Sequence, residues 1–278
     1  VSVKLSVAEA GPEEAPIPVT PFEVEAGTVH VVPYNDLPRL EQLFAEHGSD
    51  IACVFMEPVL ENIGIVVPDE GYLAGVRAQC DANGALLVFD EVKTGLTAGY
   101  AGASQRLGVT PDLVALAKSI GGGLPLAAFG GKADVMECIT DQRMPHFGTY
   151  NGNPLVMAAA VAIDEIATEE ALAAAEALNV GAMQEMEKTI ERHSLPSHTV
   201  GFGVKGCVTW SPTPVRNYRD YKRTDFGAAE LSWLWGVNRG VLTPPGLDEQ
   251  WLVSFAHTTA DMNVLVEEFR ELADALRG

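Results

Sequence analysis

Short apolar runs alternate with longer amphipathic segments in the first half of the chain. Uninterrupted apolar runs predict buried strands at residues 29–32, 51–56, 86–89, 113–116 and 126–129. Residues 36–47 and 70–83 have the pattern of helices, and Gly84 is placed to cap the second one. Strands without polar alternation, separated by helices, indicate an α/β fold with a mostly parallel sheet and helices on both faces.

The pattern changes at Pro154, where an alanine-rich and glutamate-rich stretch begins. It predicts helix as far as His193, with a break near Thr168 because one helix of that length would be unusual. Further elements are predicted as a strand at 200–210, a helix at 226–239, a strand at 252–255 and a helix at 261–276. This less regular mixture predicts a smaller C-terminal α+β domain.

The predicted organisation therefore has three parts. Residues 1–28, rich in proline, glutamate and alanine, form an extended connector that resembles the interior of a longer chain. Residues 29–168 form a large α/β domain, and residues 169–278 form the small domain.

Composition narrows the class of partner. The formal net charge of −20 argues against nucleic acid and anionic membranes, which favour clusters of Lys and Arg. The longest apolar run near the middle, residues 155–163, is too short to span a membrane. The four cysteines lack metal-ligand or redox spacing, and no histidine pair has metal-binding spacing, so we expect no metal site and a reducing, cytoplasmic location.

The strongest chemical signal is the segment ALAKSIGGGLP at residues 115–125. Lys118 follows an apolar strand and precedes three glycines, which leave space for a planar ligand. A lysine in a dry setting becomes a better nucleophile and forms Schiff bases with aldehydes. The alternative is a lysine that extends to solvent from a strand end.

A second signal, LLVFDEVKTG at residues 86–95, places Asp90 at the carboxyl end of a buried strand. Open α/β sheets bind their ligands at that edge. A carboxylate there could keep a pyridine nitrogen protonated, although an Asp at this position could also simply cap the next segment.

Two weaker signals flank these motifs. FMEPVLENIG, residues 55–64, offers Glu57, Glu61 and Asn62 for ligand contacts. HFGTYNGNP, residues 146–154, combines a Gly/Asn turn with Thr149 and could bind a phosphate. For each of them a plain structural loop is the alternative.

Taken together and in this order, the four motifs resemble those of class III aminotransferases, a fold type I family that depends on pyridoxal phosphate. The likeness is strongest over residues 51–163, and the most similar members are of the glutamate-1-semialdehyde aminomutase type. It implies a fold type I transferase and an aminotransferase that acts through a Lys118 Schiff base on small amine and keto or aldehyde substrates. An aminomutase is the first alternative.

The resemblance also implies residue roles. Lys118 would bind the cofactor and move protons, Asp90 would pair with the ring nitrogen, and Val92 would pack on the ring face. Asn62 would hydrogen-bond the ring hydroxyl. Gly148 and Thr149 would reach the phosphate of a neighbouring subunit, because family sites form between two chains of a homodimer.

The chain departs from the family pattern in two ways. Lys93 stands where relatives often carry Met or Gln. The family's N-terminal third, with a phosphate loop and a ring-stacking aromatic residue, is missing from the sequence, so a non-catalytic or truncated member is the second alternative. Glu249 is a loose match to an acidic gating residue.

Overall fold

The computed structural model describes residues 2–5, 29–244 and 250–277. The chain divides into two units. The first comprises residues 1–59, 68–96 and 100–168, and the second comprises residues 60–67, 97–99 and 169–278.

Six strands of the first unit form one sheet in the order β2-β1-β3-β4-β5-β6. They are β1 (Ser2–Leu5), β2 (Val29–Val31), β3 (Cys53–Met56), β4 (Leu86–Asp90), β5 (Leu113–Ala117) and β6 (Ala127–Gly131). The first five are mutually parallel, and β6 pairs antiparallel with β5. The connection between β5 and β6 is shorter than the roughly dozen residues that a parallel crossover needs, which explains the reversal.

Two features of this sheet differ from the sequence-based expectation. Residues 2–5 form a strand where a connector was expected, while residues 6–28 lie outside the described part. The strand β6 is antiparallel to its neighbour, although its apolar run gave no sign of this.

The described residues of the first unit form five α-helices: α1 (Leu37–His47), α2 (Tyr72–Asn83), α3 (Gly102–Leu107), α4 (Ala133–Thr140) and α5 (Pro154–Ile166). Local chemistry sets their ends. The Asp36 side chain caps α1 by accepting from Arg39 N at 3.1 Å. Gly84 ends α2 in the left-handed conformation, with φ +68°. Asn153 caps α5, whose first residue is Pro154.

The hydrophobic core of the first unit lies between β3, β4 and the helices α1 and α2. Along β4, buried and half-buried positions alternate, with Leu87 and Phe89 fully buried. By contrast, β6 and α5 contain no buried residue in the described structure. The core therefore supports the carboxyl ends of β3 and β4 from one side of the sheet.

In the part of the second unit that the structure describes, four α-helices accompany a three-stranded antiparallel sheet in the order β7-β8-β9. Its elements are α6 (Glu169–His193), β7 (His198–Phe202), β8 (Lys205–Thr209), α7 (Tyr218–Tyr221), α8 (Phe226–Asn238), β9 (Trp251–Leu252) and α9 (Thr259–Ala275). The single strand predicted at 200–210 is a hairpin that turns at Gly203, with φ +62°. The predicted break near Thr168 separates α5 from α6.

Within the described residues, no helix is both long enough and apolar enough to cross a membrane.

Candidate active site

Asp90 and Lys118 lie at the same edge of the sheet. Asp90 is the last residue of β4 and is in register with Ala115 of the parallel neighbour β5. Lys118 directly follows β5. Because the carboxyl ends of adjacent parallel strands meet at one edge, the first unit brings a carboxylate and an amine to the place where such sheets bind ligands.

The Asp90 side chain is held by one hydrogen bond and can accept further ones. Its Oδ1 accepts a hydrogen bond from Val92 N at 3.0 Å, and the residue is half-buried. Among the described residues, no donor contacts Oδ2. The structure thus leaves one carboxylate oxygen available to a cationic N–H group of a ligand, and the half-buried Val92 follows two residues later.

Lys118 has an unusual backbone conformation. Its φ is +51°, in the left-handed region that residues with a side chain adopt uncommonly. It begins a short 3₁₀ turn, residues 118–121, that leads into Gly122 and Gly123, both with positive φ. In the described structure Lys118 Nζ forms no hydrogen bond or ion pair, so its amine is available.

The side chain of Lys118 is exposed. The expectation of a dry environment is therefore wrong for the described residues, which do not enclose the amine. Its availability rests instead on the strained turn that presents it at the sheet edge.

The other predicted residues lie elsewhere. Gly148 and Thr149 are exposed in the turn before α5, where Asn151 N donates to Gly148 O at 3.0 Å. Asn62 belongs to the segment 60–67 of the second unit, in which it is exposed between the buried Glu61 and Ile63. Glu249 lies outside the described residues.

The structure excludes Glu61 from the ligand contacts proposed for it. Its side chain is fully buried and pairs with the buried Lys205 of β8. The amide of Gln250 donates to Glu61 O at 2.8 Å and also to Gly64 O. This carboxylate holds a turn in place, and sequence reasoning missed its partner because Lys205 is far away along the chain.

Glu91 is a second residue whose role the sequence did not disclose. Its buried carboxylate accepts from Ala103 N at 2.6 Å, Ser104 N at 3.0 Å and Thr94 Oγ1 at 3.2 Å. These bonds satisfy the charge and tie the loop after Asp90 to the start of α3. The only sequence signal was a second carboxylate at the strand end.

The geometry fits a cofactor that carries both an aldehyde and a basic ring nitrogen. Among the described residues, nothing hydrogen-bonds to the Lys118 amine or to Asp90 Oδ2 at this sheet edge, and glycines follow the amine. Pyridoxal phosphate has this chemistry, because its aldehyde condenses with amines and its ring needs a carboxylate partner.

A family model described as aminotransferase class-III matches residues 6–210. A glutamate-1-semialdehyde 2,1-aminomutase of Nitratidesulfovibrio vulgaris Hildenborough is 38% identical over 96% of this chain and 64% of its own length. The corresponding protein of Thermomicrobium roseum is 39% identical over 94% of this chain and 62% of its length. The chain thus spans slightly less than two thirds of these relatives.

Solved structures agree with this likeness. A lysine-to-alanine variant of a glutamate-1-semialdehyde aminomutase from Pseudomonas aeruginosa PAO1, in complex with PMP, matches with a TM-score of 0.87 at 29% identity. The match covers 99% of this chain and 66% of the other. An omega-transaminase from Sphaerobacter thermophilus matches with a TM-score of 0.91 at 25% identity, over 99% and 68% of the two chains.

Proposed function

Because this chain belongs to the class-III aminotransferase family, we propose that it is a pyridoxal-phosphate-dependent aminotransferase. It would move an amino group between an amine or amino acid and a keto or aldehyde acceptor. The observation that carries the proposal is the position of Asp90 and Lys118 at the carboxyl ends of the adjacent strands β4 and β5, where each has a polar atom without a partner among the described residues.

The cofactor, when bound, supplies an aldehyde that condenses with amines and a protonated ring that accepts electrons. Lys118 would hold the aldehyde and then carry protons on Nζ, and Asp90 Oδ2 would hold the ring nitrogen. Val92 would cover one face of the ring, and Asn62 would donate to the ring hydroxyl. The roles of Asp90 and Lys118 are supported by Oδ2 and Nζ, which have no partner among the described residues. Those of Val92 and Asn62 rest on their places in the family motifs.

We also propose that the protein acts as a homodimer. Support comes from large apolar side chains that are exposed around the turn before α5, with Phe147 88% exposed and Tyr150 84% exposed. Such a patch is unusual on a free surface. Gly148 and Thr149 lie in the same turn and would reach the cofactor phosphate bound by the partner subunit.

A cytoplasmic location is proposed for a separate reason. All four cysteines are free thiols, and two of them, Cys80 and Cys207, are buried. Free buried thiols are typical of reducing compartments.

An aminomutase is the second candidate function. The relatives that are 38–39% identical carry that name, and such an enzyme uses the same residues to return the amine to a neighbouring carbon of one molecule. A mutase turns over without a keto-acid acceptor, whereas a transaminase stops after one half-reaction. Turnover assays with and without an acceptor therefore separate the two.

The proposal is tested by trapping the cofactor. Incubation with pyridoxal phosphate followed by borohydride reduction should fix the cofactor mass on the peptide that contains Lys118. Lys118→Ala should remove this adduct, while Lys93→Ala, which removes a neighbouring amine of the same unit, should retain it. No adduct in the unsubstituted chain, or an adduct that survives Lys118→Ala, would refute the proposal for this chain.

A further inference from the structure

Ser119, the residue after Lys118, makes a hydrogen bond that the sequence motif does not predict. Its Oγ donates to Gly95 O at 2.8 Å, joining two segments that are 24 residues apart. We propose that Ser119 is a positioning residue, which holds Lys118 in its left-handed conformation and so aims the amine at the ligand on Asp90. This inference rests on the proposed function.

The backbone at Lys118 needs such support. A φ of +51° is disfavoured for a residue with a side chain, and it persists only where the surroundings fix it. The turn that follows packs against α5, since a Cβ at Gly122 would lie 2.8 Å from Ile163 Cγ1, but the Lys118 side chain itself is exposed. Ser119 is half-buried and tethers the turn at its second residue.

The turn itself is closed by backbone hydrogen bonds. Gly122 N donates to Ser119 O at 3.2 Å, and Leu124 N donates to Gly121 O at 3.0 Å. These bonds set the shape of the turn but do not connect it to the turn at residues 91–95, which follows β4. The Ser119 side chain supplies that connection.

The acceptor of this bond is held rigidly. Gly95 N donates to Glu91 O at 2.7 Å, so the carbonyl belongs to a closed turn directly after Asp90. A Cβ added at Gly95 would lie 2.5 Å from Leu116 Cδ2, which shows how closely this turn packs on β5. The turn is therefore a fixed point from which Ser119 can restrain its neighbour.

Glu91 fixes the same turn from the other side. Its carboxylate accepts backbone N–H groups from Ala103 and Ser104 at the start of α3. Gly102 allows this approach, because a Cβ there would lie 2.2 Å from Glu91 Oε2. The restraint thus runs from α3 through Glu91 and Gly95 to Ser119 and ends at Lys118.

The chemistry gives this restraint a specific consequence. Condensation with pyridoxal phosphate requires Nζ to reach the aldehyde while the ring stays on Asp90, and misplacement of the amine weakens it. Pyridoxamine phosphate carries an amine in place of the aldehyde, so its binding does not depend on where Lys118 points. If Ser119 has a positioning role, its loss should therefore weaken the adduct with pyridoxal phosphate and leave the binding of pyridoxamine phosphate unchanged.

The experiment compares Ser119→Ala, Ser119→Thr and the unsubstituted full chain. Ser119→Ala should weaken the Lys118 adduct with pyridoxal phosphate about 3- to 10-fold, the size expected from one neutral hydrogen bond. Its dissociation constant for pyridoxamine phosphate should stay unchanged. Ser119→Thr keeps the hydroxyl and should restore the adduct.

Ser104→Ala is the matched control, because its hydroxyl makes only a long bond of 3.4 Å to Ala101 O in the same unit. It should leave both ligands unaffected. Without any ligand, hydrogen exchange of residues 117–124 should be faster in Ser119→Ala than in this control. Unchanged exchange would overturn the restraint itself.

The outcomes separate the two proposals. Equal weakening of both ligands by Ser119→Ala, or no effect on either, would overturn the positioning role and leave the proposed function standing. If the unsubstituted chain forms no adduct, then the proposed function is refuted, and so is the claim that Ser119 directs the amine towards a ligand. Hydrogen exchange still decides whether Ser119 restrains the turn.

Discussion

Glu268 of α9 is a half-buried residue whose carboxylate oxygen Oε1 is shielded from solvent. Among the described residues, its Oε1 has no hydrogen-bond partner. Burial raises the pKa of Glu268 from 4.5 to about 7, with Glu271 adding to the rise and Arg239 opposing it. Because the folded state holds this proton more tightly than the unfolded chain, ionisation of Glu268 costs stability.

We therefore predict that Glu268→Gln changes how stability depends on pH. At or below about pH 4.5 the group is protonated in the folded state, and the variant should match the unsubstituted protein. As pH rises from about 4.5 to about 7, the unsubstituted protein should lose stability relative to the variant, and the loss should level off above pH 7 at about 1–2 kcal/mol for a group that solvent partly screens.

Urea unfolding at several pH values checks this expectation. Glu267→Gln, at the exposed neighbouring position, is the control and should show no such trend. A difference between Glu268→Gln and the unsubstituted protein that is the same at pH 5 and pH 8 would contradict it.

The ion pair between Lys205 and Glu61 gives a prediction of a different kind. Both side chains are buried, with Glu61 0% exposed. Lys205→Met would leave a carboxylate without its cation and should cost about 3–5 kcal/mol of unfolding free energy. Replacing both residues by Met should recover most of the loss, because a buried pair contributes little net stability over apolar side chains.

Chemical denaturation of the single and double variants measures the difference. If the double variant is as unstable as Lys205→Met alone, then the loss comes from packing and the electrostatic explanation fails.

At the scale of elements, the sequence was informative wherever a local signal set a boundary. The Asn153–Pro154 pair marks the start of α5, and Gly84 marks the end of α2. The hairpin of β7 and β8 was missed because its turn, Gly203 and Val204, lies inside one continuous run of strand-forming residues. A glycine at the first position of a two-residue turn is typical of a hairpin, so Gly203 is the local signal that indicates this one.

The candidate site was predictable only in part, because local signals reveal some of its residues and not others. Asp90 and Lys118 stand directly after apolar strands, so a parallel sheet must bring them to one edge. The partners of Ser119 and Glu91 depend on how distant backbone groups fold back, and no local spacing encodes that. The apolar run before Lys118 also could not predict that its side chain is exposed, because the sequence of a strand does not determine which residues cover its end.

Gly203 supplies the prediction at this scale. A Cβ at this position would lie 2.1 Å from Thr97 O, and φ is +62°. Gly203→Ala should therefore destabilise the protein by about 3 kcal/mol, combining backbone strain with a clash against main chain that cannot move aside.

Gly240→Ala is the matched variant in the same unit. Its φ is +82° and, among the described residues, a Cβ there meets nothing within 4 Å, so only the strain of about 1 kcal/mol should appear. Thermal or urea unfolding compares the two variants. Equal losses would mean that the contact with Thr97 has no energetic weight.

For the whole molecule, the exposed apolar side chains of the first unit predict self-association. Phe147 and Leu155 are 88% and 69% exposed. The double substitution Phe147→Asp with Leu155→Glu should shift the protein from dimer to monomer, because charge on an apolar interface remains unpaired when buried. Sedimentation analysis measures the mass of each variant.

Val180→Glu serves as the control for this experiment. Val180 is an exposed apolar residue of α6 in the other unit, and its substitution should leave the mass unchanged. A monomeric unsubstituted protein, or a dimer that persists in the double variant, would contradict the prediction.

The link between Glu61 and Lys205 also bears on how the chain folds during its synthesis. The carboxylate leaves the ribosome 144 residues before its cation does (205 − 61). At about 5–20 residues per second, this interval lasts about 7–29 s. During that time the turn at residues 60–67 has neither Lys205 nor Gln250 to hold it, although β3 precedes it and β4 is made soon after it. The nascent chain therefore passes through a stage in which this acidic turn is still in water, and the order of translation delays its burial until the second unit emerges.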